Sequence, residues 1–68
     1  MTPDDIKAWR AHWQWSQAQL AHALGVNLRT VGHWEAGTSP APRYLGLALE
    51  TLARREAAKL LERAAAAQ

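Results

Sequence analysis

The chain has 68 residues, 49% of them hydrophobic, with no cysteine and a formal net charge of +2. That length holds one small domain with a marginal core, for which oligomerisation is a common supplement. The composition excludes disulfides and thiolate metal sites, carries neither a signal-peptide pattern nor an apolar run long enough to span a membrane, and permits nucleic-acid binding without demanding it.

Helical signals dominate, and no segment shows two-residue alternation. Thr2-Pro3-Asp4-Asp5 opens a first helix: threonine caps, proline suits the first position, and the aspartates meet the positive dipole end. This helix is predicted from Pro3 to Trp13 or Gln14, with Ile6, Trp9 and Trp13 on one face. Ser16-Gln17-Ala18-Gln19 is a capping box, and Trp15 and Leu20 are spaced as a hydrophobic staple. The second helix is predicted over 17–24, with Leu20, Ala21, Ala23 and Leu24 inward and Gly25 as its stop. Asn27 caps a third helix over 28–36, in which Val31 and Trp34 face the core and Gly37 ends the element. Thr38-Ser39-Pro40-Ala41-Pro42 is a connector, and Pro42 is placed to begin a last helix running to Ala67. Leu45, Ala48, Leu49, Leu52 and Ala53 form its stripe, while the alanine-rich end, 64–67, combines high helix propensity with a tendency to fray.

Two short helices joined by a tight turn, the second carrying basic and polar groups, suit a protein that pushes one helix into a DNA groove. Ser16-Gln17, Leu20-Ala21, Leu24-Gly25-Val26, Thr30-Val31 and Trp34-Glu35 with Gly37 resemble the Cro and phage-repressor type of helix-turn-helix domain, also called the xenobiotic-response-element family. The resemblance covers roughly Ile6 to Leu52. It implies an all-α domain of four or five helices, lambda-repressor-like, in which the third helix reads DNA. The helix-turn-helix proper is expected at 16–37, and a helical extension or tail at 54–68. Three departures stand out. Gln14 occupies a position where the family often has glycine, so the first helix is expected to end differently. Trp13 replaces a polar residue. Gly32 lies inside the reading helix, where it costs about 1 kcal/mol against alanine; it reflects either close approach to DNA or poor local stability.

The outward positions of the third helix are Leu28, Arg29, Gly32 and His33, with Asn27 and Thr30 at its start. Arg29 is the candidate for a bidentate guanine contact, because its fork matches O6 and N7. A solvated arginine touching phosphate is the alternative. Leu28 is either a contact to a thymine methyl or a scattered surface leucine. His33 either bonds a phosphate or base, or is structural. Gln17 resembles the family's glutamine that bonds a phosphate and braces the third helix, at a helix N-terminus suited to anions. Thr38, Ser39 and Arg43 are candidate phosphate contacts or ordinary loop chemistry. Arg10 and Glu35 match a structural pair of the family and are read as a partly buried salt bridge.

Trp9, Trp15 and Trp34 are read as core rather than as a stacking surface; Trp13 extends the core, packs on the last helix, or lines an interface. The histidines are His12, His22 and His33, with no two spaced four apart, so neither a metal site nor a cofactor is expected. Ser16 is a cap and not a nucleophile, and no enzyme is expected. Leu49, Leu52, Leu60 and Leu61 on the last helix are candidate dimer contacts, against a solvated tail as the alternative.

The reading is a cytoplasmic, nucleoid-associated regulator of double-stranded DNA. It is expected to be a homodimeric repressor or autoregulator of a phage or mobile element, bound to an inverted-repeat operator. The alternative is an antitoxin that binds a toxin partner as well as DNA.

Overall fold

The computed structural model describes residues 1–66. Four helices follow in order: α1 (Pro3–Trp13), α2 (Gln17–Leu24), α3 (Leu28–Ala36) and α4 (Leu45–Ala66). The expectation for Ala67 lies outside the described residues.

The first three helices begin where side chains can satisfy free N–H groups. The Thr2 hydroxyl accepts from the Asp5 N–H, and the Asp5 carboxylate accepts from the Thr2 N–H at 3.0 Å. Ser16 and Gln19 repeat this reciprocal cap on α2, at 3.1 and 2.7 Å. Each such cap contributes about 1 kcal/mol. On α3 the Asn27 side chain accepts from the Arg29 N–H at 2.9 Å.

All three helices then stop on a left-handed residue: Gln14 (φ 58°), Gly25 (φ 72°) and Gly37 (φ 78°). The expectation that α1 would end differently for want of glycine is therefore corrected. The Gln14 N–H still closes the helix onto Ala11 and Arg10 carbonyls, and the chain accepts the steric cost of a side chain at positive φ.

Ile6, Leu20, Ala21, Val31, Trp34, Leu45, Leu49 and Leu52 form the buried core, with Trp9, Trp15, Leu24, Val26 and Ala41 packed against it. Helix α3 packs most closely against α2 and α1. It thus lies over the other two on its Val31–Trp34–Glu35 side, while Leu28, Arg29 and His33 remain exposed.

Three expectations need revision. Pro42 does not start the last helix: its carbonyl accepts from the Leu45 N–H in a turn, and α4 begins at Leu45. Arg43 therefore sits in that turn and not inside a helix. Ala23 is exposed. Leu49 and Leu52, expected at a dimer contact, are 1% and 8% exposed and belong to the core, whereas Leu60 and Leu61 are 54% and 72% exposed. The same face of α4 that packs on the body over its first turns runs past the body further on.

Candidate nucleic-acid interface

The underside of α3 is clamped by charge. Glu35 is buried, and its carboxylate receives both branches of the Arg10 guanidinium, Nε and one terminal nitrogen, each at 2.6 Å. The remaining terminal nitrogen donates to the Trp15 carbonyl at 3.0 Å. Gln17 completes the shell by donating from Nε2 to Glu35 Oε1 at 3.3 Å. One glutamate of α3 is thus tied to α1 and to the first residue of α2, while the same arginine holds the turn between them. No buried side-chain polar atom lacks a partner among the described residues. The fork geometry is the strong form of a carboxylate pair. It holds the Glu35 carboxyl below the usual carboxylate range, with the Arg10 hydrogen bond outweighing burial, which pushes the other way.

The outer side of α3 is free of such ties at its start. Leu28 is 51% exposed, Arg29 is exposed, and Thr30 and Gly32 are half-buried. A Cβ placed on Gly32 would meet nothing within 4 Å. Asn27 spends its side-chain oxygen on the helix cap. Its amide nitrogen is the group left for a ligand. His33 is exposed, but its Nδ1 lies 2.9 Å from the Thr38 hydroxyl. That hydroxyl also donates to the His33 carbonyl at 3.3 Å. His33 and Thr38 therefore fix one another, leaving Nε2 as the outward atom of the ring. Thr38 serves the shape of the helix end as well as the surface.

Gln17 donates to Glu35 and so braces α3 from the start of α2. Ser39 is half-buried, and Arg43 is exposed in the turn before α4. Sequence reasoning missed Tyr44 and Leu47, which are 64% and 69% exposed. The signal for Leu47 was available, because it falls off the Leu45–Leu49–Leu52 stripe.

Two capped helices at a tight glycine turn, with the second held from beneath and bare above, are now in place, and a family model described as Helix-turn-helix matches residues 6–59. The chain belongs to this family. Its type is that of Cro and the phage repressors, and helix-turn-helix proteins of this type are DNA-binding transcriptional regulators. No curated protein and no solved structure gave a significant match. The matched residues take in α2, α3 and the turn that joins them. No described helix is long and apolar enough to cross a membrane.

Proposed function

We propose that this helix-turn-helix protein is a sequence-specific repressor that binds an inverted-repeat operator as a homodimer, with α3 in the major groove. The observation that carries the reading is the division of α3 into a clamped underside and an exposed outer side. In this reading Arg29 addresses a guanine edge, Leu28 a thymine methyl, and His33 Nε2 a base or phosphate. Gln17, Asn27, Thr30, Thr38 and Arg43 add contacts to the backbone, whose phosphates supply much of the affinity and its salt dependence. Gly32 lets the helix backbone come close to the DNA. Repression follows from occupying promoter DNA at the nucleoid.

The dimer uses the exposed side of α4, where Leu61 and Leu47 lie fourteen positions apart on nearly one face; Leu60 flanks it. A two-fold pair presents its two α3 helices to half-sites about one helical turn apart.

Selection of bound sites from random duplexes, followed by binding titrations, tests the proposal. Arg29→Ala is expected to cost about 1–3 kcal/mol on the selected site and to relax preference at one base pair. Uniform weakening on all duplexes would instead indicate a phosphate contact. Sedimentation on the operator should give two chains per site; one chain per site would reject the dimer.

A further inference from the structure

The face away from α3 holds a second surface that the DNA reading does not use. A groove of about 600 Å³ lies between α2 and the middle of α4, and no residue of α3 lines it. Its apolar lining is Trp15, Ala18, Ala23 and Leu52. Its charged lining comes from α4, with two cations, Arg55 and Lys59, against one acid. That acid, Glu56, is already bound by Lys59 at 3.1 Å. Arg55 has no carboxylate partner among the described residues. A second groove of about 580 Å³ shares Trp15, Gln19 and Glu56 with the first and adds Trp13, Leu60 and Arg63. Together they follow α4 from Leu52 to Arg63, about 16 Å at 1.5 Å per residue.

We infer that these two adjoining grooves are a docking site for an acidic amphipathic helix of another protein. Apolar side chains on one stripe of the partner would pack on the indole-and-methyl lining, and carboxylates on its flanks would meet Arg55, Lys59 and Arg63. This is the recurring mode of a short helix laid into a hydrophobic groove, with charge setting orientation and rate. A second copy of this chain fits poorly. Its acids on α4, Glu50, Glu56 and Glu62, are interleaved with Arg54, Arg55, Lys59 and Arg63, so it offers no acidic strip. A single nucleic-acid strand fits poorly as well, because the Trp15 ring is half-buried and already set edge-on to Trp9 at 5.2 Å. The inference does not rest on how α3 reads DNA, since no residue of α3 lines either groove.

The test is a titration of the full chain, followed by amide NMR, with synthetic helical peptides of about twelve residues. One carries leucine at helical i, i+3, i+4 spacing with glutamate between. Two controls replace every glutamate by glutamine or by lysine. Saturable shifts confined to Trp13, Gln19, His22, Leu52, Arg55, Arg63 and their neighbours are expected with the glutamate peptide. The glutamine peptide should bind about tenfold or more weakly and the lysine peptide not at all. Arg55→Glu with Lys59→Glu, both on exposed positions, should abolish the shifts while leaving the amide spectrum of α3 unchanged. Absence of saturable shifts, equal binding of the three peptides, or no loss in the double variant overturns the proposal. It is likewise overturned if a short single-stranded DNA displaces the glutamate peptide, or if the same amides shift on simple concentration of the chain, which would assign the groove to nucleic acid or to a second copy.

Discussion

Arg10 does the work of a crosslink. Its five donors reach Glu35 twice and the Trp15 carbonyl once, joining α3, α1 and the α1–α2 turn through a single side chain. Truncating it removes those bonds and leaves a buried carboxylate with only Gln17 for company. Losing one member of a buried pair costs about 3–5 kcal/mol. The lower end applies, because Arg10 keeps 21% of its side chain in solvent. Each kcal/mol moves the melting point of a domain this small by roughly 4–8 °C. Arg10→Ala is therefore expected to melt at least about 10 °C lower, whereas Lys7→Ala, on an exposed side chain, should shift little. Calorimetry of the two variants decides, and equal shifts would mean that the fork does not hold the domain together. This pair was legible in the sequence only through the family resemblance. The bonds to Trp15 and from Gln17 were not, because they depend on how the turn folds back, and no spacing rule encodes that.

Helix α3 carries its own test. Gly32 has open space around its Cβ position and lies in the middle of the helix. Gly32→Ala should stabilise the free protein by about 0.5–1 kcal/mol. If glycine is there to let the backbone approach DNA, the same substitution weakens operator binding. A higher melting point with unchanged affinity would show that Gly32 has no part in recognition. The starts of the three short helices and the glycine stops of α2 and α3 were readable, because caps and left-handed stops are local chemistry, settled within four residues; the left-handed stop at Gln14 was not, because a non-glycine residue gives no such signal. Two elements show where local chemistry stops sufficing. Pro42 satisfies the first position of a helix and the start of a turn equally well, and only the docking of Leu45 into the core chose the turn. Helix-favouring sequence runs unbroken past Leu52, and Leu60 and Leu61 resume the apolar character eight residues on, so the sequence alone does not mark where the body beneath α4 ends. On spacing alone, Leu49 and Leu52 are therefore candidates for a dimer contact as well as for the stripe.

At the scale of the molecule, the 46 × 19 × 19 Å outline reflects α4, which outruns the packed body. Stability resides in the body, and so does its dependence on pH. Glu35 is ionised at lower pH when folded than when unfolded, because Arg10 holds the charged form. Between the two values the unfolded chain binds more protons, so stability falls as pH falls. The contribution is complete above the ordinary glutamate range and is lost as pH drops through the folded value. Asp5, lowered by its bonds to Thr2, acts in the same direction at the exposed end of α1. Urea midpoints measured from about pH 6 down to about pH 3 should fall for the natural chain. They should fall less steeply for Glu35→Gln, and parallel slopes would remove Glu35 as the source.

The division of α3 has a consequence for how such a protein can change. The side chains that hold the helix, Val31, Trp34 and Glu35, are buried, and the exposed ones proposed to meet DNA, Leu28, Arg29 and His33, are a separate set. A lineage or a designer can therefore rewrite the outer set without reopening the inner one. New operators become accessible through steps that leave the folded population nearly constant, so divergence in target need not pass through unstable intermediates.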